Sequence, residues 1–206
     1  MIYMAKKTIL VLIIIILLII FAGNLILNKQ CIEIYIDGEN VTASSNVPIL
    51  SNINITELNR DLCNYTFLVM DNSSSNITTL KNGLKNISNS YGLDNPEIKI
   101  DSSIGENQIP IIFYVDGTSM IPTLQDGQSV LLNKTKNIHV GDIVVSDSKE
   151  YGIIIKRVGQ INGNKVYLES DNKKIEYEYS DGYVYKTECV KTWVDMSNIY
   201  GVVIRY

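Results

Sequence analysis

The hydrophobic and polar positions of the chain fall into three regimes. In the first, Thr8 to Asn28 carries no charge, and Ile9 to Ala22 has no polar side chain at all. An apolar run of about twenty residues at the rise of an α-helix matches the ~30 Å hydrocarbon core of a bilayer. The run therefore predicts an N-terminal transmembrane helix. Lys6 and Lys7 precede it and only Lys29 follows closely, an asymmetry that puts the N-terminus in the cytoplasm and the rest of the chain outside the cell. A cleaved signal peptide would have a shorter apolar core and end in a small-x-small site. Ala22-Gly23-Asn24 is a poor version of one, so a retained anchor is the expectation.

The second regime is rich in Asn and Ser and runs to a polar stretch at Ser102 to Gln108. Ile32 to Ile36 alternates like a strand and stops at Asp37-Gly38, a turn signal. Tyr65 to Met70 reads as a second strand and Pro96 to Asp101 as a third. Between them Ile77, Leu80, Leu84 and Ile87 recur at helical spacing. The expectation is a small α+β accessory segment over 29–108 without recognisable chemistry. In the third regime, 109–206, short β-rich runs follow one another: Ile111 to Val115, Ser129 to Asn133, Asp142 to Ser146, Gly152 to Val158, Lys165 to Glu169, Tyr183 to Tyr185 and Gly201 to Tyr206. Turn signals such as Asp126-Gly127, Asn162-Gly163 and Asp181-Gly182 separate them. This pattern predicts a mainly β domain, a barrel or sandwich. The predicted organisation is thus a cytoplasmic tip and anchor over 1–28, then the accessory segment, then the β domain.

Charge and composition narrow the function classes. Removing Lys6 and Lys7 from the 18 basic residues leaves 16 against 22 acidic ones in the exported part. Without a basic cluster, a nucleic-acid partner is not expected. Asn-x-Ser/Thr sequons begin at Asn40, Asn54, Asn64, Asn72, Asn76, Asn86 and Asn133, where chance predicts about three. The excess agrees with an external location. Cys31 and Cys63 have two readings, a disulfide formed outside the cell or buried thiols, with Cys189 left single. No spacing resembles a metal site, and neither metal nor cofactor is expected.

Candidate chemistry centres on Asp116-Gly117-Thr118-Ser119-Met120-Ile121-Pro122-Thr123-Leu124. Gly117 permits a sharp turn after a strand and Pro122 stiffens the exit. A serine at such a corner is exposed, with backbone amides free to face a developing oxyanion. The same segment also fits an ordinary strand-to-loop turn. A serine nucleophile needs a proton acceptor. His139, the only histidine, precedes Val140-Gly141-Asp142 in what reads as a solvated loop. Lys156 follows Ile153, Ile154 and Ile155, and burial among isoleucines is what lowers a lysine from its ordinary pKa of ~10.4. Taken alone, it also fits a lysine snorkelling from a strand edge.

Together these segments resemble the type I signal peptidases, the Ser-Lys class of membrane-bound serine proteases. Gly117 to Leu124 matches the nucleophile box and Gly141-Asp142-Ile143-Val144-Val145 a following Gly-Asp box. Lys156-Arg157-Val158-Gly159 matches the base box of the bacterial branch, and Gly201-Val202-Val203 a terminal strand. The resemblance covers about Ile109 to Tyr206. It implies Ser119 as nucleophile, Lys156 as general base, and the Ser119 amide in the oxyanion hole. The implied substrates are exported preproteins, cut after small residues at the −1 and −3 positions, and the apolar edge of the fold meets the lipid bilayer. Met120, Ile121 and Pro122 suit that membrane or substrate edge, and a buried turn would use Met120 and Ile121 equally well. Where some members carry a hydroxyl two residues before the nucleophile, this chain has Gly117, which leaves the oxyanion hole to backbone or to Thr118. The Gly-Asp-Asn box appears as Ser170-Asp171-Asn172, and Asp171 either tunes Lys156 or sits in a turn. Two other readings stand beside this one: a self-cleaving or dedicated-substrate Ser-Lys peptidase, and a non-catalytic surface protein on the same scaffold.

Overall fold

The computed structural model describes residues 12–18, 30–48, 51–174, 176–180, 183–187 and 189–206. Residues 12–18 are helical, with exposed side chains. The rest of the apolar run that predicts an anchor lies outside the described residues. Among the described residues no helix is long and apolar enough to cross a membrane.

Strand β1 (Cys31–Ile36) turns Ile32, Ile34 and Ile36 inward and Glu33 and Tyr35 outward, the two-residue period of a sheet with one covered face. At its end Gly38 takes φ +110, and the chain returns antiparallel as β2 (Val41–Asn46). Strand β3 (Glu97–Ser102) lies parallel to β1 on its other side. A parallel neighbour needs a long crossover, supplied by α1 (Ile55–Asp71) and α2 (Ile77–Ser90). Both helices start on asparagine caps. The Asn54 side chain accepts from the Glu57 amide at 3.3 Å, and that of Asn76 from Thr78 and Thr79 at 2.9 and 3.0 Å.

One expectation for this segment needs correction. Tyr65 to Met70 is the second half of α1, not a strand. Its β-prone residues follow Leu58 and Leu62, and together with Thr66, Val69 and Met70 these form one buried stripe at helical spacing. Helix packing there is close: a Cβ on Gly83 of α2 would stand 2.0 Å from the Tyr65 ring. Of the two readings of Cys31 and Cys63, the structure has the thiols and not the disulfide. The Cys63 thiol instead donates to Val41 O at 3.6 Å and that of Cys31 to the Glu33 carboxylate at 3.9 Å.

From residue 110 the chain is β, as its turn-punctuated pattern predicts. The strands are β4 (Pro110–Tyr114), β5 (Ser129–Asn133), β6 (Ile143–Ser148), β7 (Gly152–Asn162), β8 (Lys165–Glu169), β9 (Glu176–Ser180), β10 (Tyr183–Thr187), β11 (Lys191–Asp195) and β12 (Ile199–Arg205). β9 and β10 form a separate hairpin, and the others make one antiparallel sheet in the order β11-β8-β7-β6-β12-β5-β4. In a flat sheet β4 and β7 would lie four strand spacings apart, roughly 19 Å. Phe113 to Asp116 and Ile153 to Lys156 nonetheless line one cleft, so the sheet curls on itself.

The two segments share their packing. One apolar cluster runs from Ile32, Leu58 and Leu84 to Ile111, Leu132 and Val145, and a second lies beneath β7, β8 and β11 around Val158, Leu168 and Val194. Buried Lys134 reaches the end of α1, donating to Met70 O at 3.1 Å and Asn72 O at 2.9 Å. Lys136 donates to Ser73 O at 2.8 Å, Ser197 O at 3.1 Å and Ile199 O.

Strand β12 sits between β5 and β6, and the fit is tightest at Gly201, where a Cβ would stand 2.2 Å from the Asn133 carbonyl oxygen. The backbone of Asn133 and Lys134 leaves the added carbon no room. Gly201→Ala is expected to cost about 2–3 kcal/mol in urea unfolding; a loss below about 0.5 kcal/mol would show that β12 can shift to admit it.

Candidate active site

The loop after β4 is built to hold one serine at its crest. Gly117 has φ +88, a region open to glycine at little steric cost, and its amide donates to Asp126 Oδ1 at 2.8 Å. Met120 and Leu124 plunge into the core and anchor the far side. Between them the Ile121 amide donates to Thr118 O at 3.1 Å and the Leu124 amide to Met120 O at 3.0 Å, and the Ile121–Pro122 peptide is cis. From across the sheet the Asn172 amide donates to Ser119 O at 3.0 Å and the Asn172 side chain to Thr118 O at 3.1 Å. Ser119 is held from both directions. Among the described residues no acceptor takes its amide N–H.

Lys156 comes from β7. It is only 4% exposed, and its Nζ lies 2.8 Å from Ser119 Oγ and 3.0 Å from Ile155 O. Burial lowers its pKa to about 8, because the surrounding protein solvates an ammonium less well than water does. The pair opens onto a small cleft of about 100 Å³ lined by Phe113, Tyr114, Asp116, Met120 and Ile153 to Ile155.

The neighbouring strand residue points elsewhere, as alternation along a strand requires. Arg157 Nε donates to Asp171 Oδ1 at 2.7 Å, and its Nη2 to Asp171 Oδ2 at 2.5 Å. A third donor, Nη1, reaches Gly141 O at 2.7 Å. Thr123 Oγ1 adds a hydrogen bond to Asp171 Oδ2 at 2.6 Å. The guanidinium, foremost, and this hydroxyl hold the Asp171 carboxyl below its ordinary value. Backbone bonds between Gly141 and Val158 and between Val158 and Asp142, both 2.8 Å, fasten the Gly-Asp loop to the base strand.

The structure thus brings Ser119 and Lys156 together and sorts the other candidate residues. Of the two readings of Asp171, contact with Lys156 is not what the structure shows: Asp171 bonds to Arg157 and Thr123, and so ties β7 to the loop that carries Ser119. The Gly117 amide is committed to Asp126, which removes it as an oxyanion donor. Thr118 is exposed, with its carbonyl doubly bonded. Met120, 1% exposed, lies under the cleft and cannot belong to a membrane edge, whereas Ile121 is half-buried and Pro122 exposed. His139 is exposed, its Nδ1 3.7 Å from Asp142. Sequence reasoning missed Asn172 and Asp126. Asn172 was signalled by its place in the Ser170-Asp171-Asn172 box, and Asp126 by opening the Asp126-Gly127 turn.

Comparison with known proteins agrees with this geometry. The family profile described as Peptidase S24-like matches residues 83–189. The chain is 31% identical over 108 residues to Signal peptidase I U of Bacillus subtilis (strain 168), covering 46% of this chain and 57% of that protein. It is 36% identical over 70 residues to Signal peptidase I V of the same organism, covering 32% of this chain and 42% of the relative. It therefore spans about half the length of the curated relatives it matches. No solved structure matches significantly. With the profile covering just over half of the 206 residues, including both members of the dyad, this chain belongs to the S24-like, type I signal peptidase-like family of serine peptidases.

Proposed function

We propose that the protein is a serine endopeptidase that uses Ser119 and Lys156 to cleave exported precursor proteins, held at the membrane by its apolar N-terminal segment with the β domain outside. The observation that carries the reading is the 2.8 Å contact between Ser119 Oγ and a buried Lys156 whose pKa is lowered to about 8. A lysine at its ordinary pKa would be an ammonium at neutral pH and could accept no proton. Lowered to about 8, a useful fraction is neutral amine, already in hydrogen-bonding reach of the hydroxyl.

The chemistry follows from those positions. Neutral Lys156 takes the Ser119 proton as Oγ attacks the scissile carbonyl carbon. The carbonyl oxygen becomes an oxyanion, which the uncommitted Ser119 amide is available to receive. The Lys156 ammonium then protonates the departing amine as the C–N bond breaks, leaving an ester on Ser119. A water deprotonated by the same lysine hydrolyses that ester. An extended substrate suits the cleft. Among the described residues β8 is in register with β7 only from Arg157 onward, so none pairs as a strand with Gly152 to Lys156 on that side. Apart from the Ile155 carbonyl, which accepts from Lys156 Nζ at 3.0 Å, the backbone groups there are open to a peptide that adds as a strand.

Four outcomes test the reading. Ser119→Ala and Lys156→Ala should each lower kcat on a purified preprotein by about 10³-fold or more while leaving the melting curve in place. Retained cleavage in either variant sinks the corresponding assignment. Incubation of the protein without precursor should give no processing, and cleavage of itself alone would favour the self-cleaving reading. Below about pH 8, kcat/KM should rise roughly tenfold per pH unit as Lys156 loses its proton, and flatten above. An activity that falls over that range would exclude a neutral lysine as base. Asn172→Ala removes the side-chain bond to Thr118 O together with the bond its Oδ1 accepts from the Lys174 amide, and should lower kcat about tenfold with little change in KM; an unchanged kcat would show that the backbone bond from Asn172 to Ser119 O suffices.

A further inference from the structure

The accessory segment touches the catalytic sheet beside the cleft. At the β1–β2 turn the Asp37 carboxylate accepts from the amides of Glu39 at 3.0 Å and Asn40 at 2.7 Å, and Ser103 Oγ donates to Asp37 O at 3.3 Å. The turn is therefore fixed. It lies against the outer edge of β4, where the Ile112 amide donates to Gly38 O at 3.4 Å. The approach is so close that a Cβ on Gly38 would stand 3.0 Å from Ile112 Cγ1. Glu39, the next residue, accepts from Tyr114 Oη at 2.9 Å. Tyr114 is 65% exposed and forms part of the cleft wall. Glu39 raises the phenol's pKa, which keeps it a neutral donor to the carboxylate.

From this contact we infer that the Glu39–Tyr114 pair selects substrate side chains, and that the accessory segment thereby takes part in specificity. The inference rests on the Ser-Lys peptidase reading. Tyr114 is the wall residue that touches substrate, and Glu39 positions its ring. The Glu39 carboxylate bonded to the phenol and Asp116 on the cleft wall carry negative charge, and among the described residues the one cation lining the cleft is Lys156 itself, buried at the dyad. A lysine or arginine of the substrate lying along Tyr114 is favoured there, and an aspartate or glutamate is disfavoured.

The test uses the full-length protein and peptides spanning a cleaved precursor junction, with Lys or Glu placed in turn at each of the six positions on either side of the scissile bond. At one position at least, the wild type should prefer Lys over Glu in kcat/KM by about two- to fivefold, the size expected for partly exposed charges. Glu39→Gln keeps an acceptor for the phenol and removes the charge, so it should at least halve that preference. Glu39→Ala also frees the ring and should raise KM more than it lowers kcat, with Gln restoring KM. A wild type without charge preference at any position, or a Glu39→Gln profile identical to wild type, overturns the inference while leaving the peptidase reading intact. A wild type that cleaves no junction overturns the peptidase reading, and this inference falls with it.

Discussion

Everything at the candidate site depends on the curl of the seven-stranded sheet. Ser119 follows an edge strand, β4, and Lys156 lies in β7, with β5, β12 and β6 between them. In a flat sheet these two residues could not meet, since each strand adds roughly 4.8 Å. Curling converts that separation into the 2.8 Å contact of the dyad. It also encloses the lysine, because a side chain on the concave side of a curled sheet loses water from several directions at once. The close approach of β12 at Gly201 to the Asn133 carbonyl belongs to the same economy of space: the strand between the two functional elements leaves no room for a side chain there.

Burial alone sets the state of Lys156, and that makes the disposition of its neighbours important. A carboxylate in contact with the amine would favour the ammonium and raise its pKa, undoing what burial achieves. Asp171, the nearest acid in the sequence motifs, is instead bound two-handed by Arg157 and by Thr123. Consecutive strand residues face opposite ways, so Lys156 enters the cleft while Arg157 meets the acid outside it. The ion pair thereby does mechanical work. It ties the segment after β8 to β7, and Asn172, one residue on, grips the carbonyls of Thr118 and Ser119.

Sequence patterning revealed the parts of this arrangement that are local. Ser119 and Lys156 could be read because the boxes around them follow one another in the order of a known family; by residue type alone each also fits an ordinary turn or a strand-edge lysine. Asn172 could not, since its meaning lies in contacts 53 and 54 residues away. The partner of the Gly117 amide was hidden for the same reason, as it is taken by Asp126 nine residues later. In the fold, Tyr65 to Met70 misled because β-prone residues were outweighed by the stripe begun at Leu58 and Leu62. Strand β2 went unseen because Val41-Thr42-Ala43-Ser44-Ser45-Asn46 is the polar edge of its sheet, where no apolar alternation is needed. β9 and β11 were also missed, between turn signals that suggested only one strand in that stretch.

The accessory segment occupies a place that an edge strand would otherwise leave open. An uncovered edge offers unpaired backbone groups to any extended chain, and β4 leads directly into the nucleophile loop. A substrate that paired along the whole of β4 could slide past the serine in several registers. The β1–β2 turn takes the outer amide of Ile112 and holds the phenol of Tyr114, which leaves the short stretch from Phe113 to Asp116 as the part of that wall facing the cleft. Covering the edge therefore protects the fold and, under the proposed peptidase function, shortens the track on which a peptide would bind. A short track beside a fixed serine would favour cleavage at one bond over cleavage at many, so on that reading the shared apolar core and the buried lysines that fasten the accessory segment bear on selectivity as well as on stability.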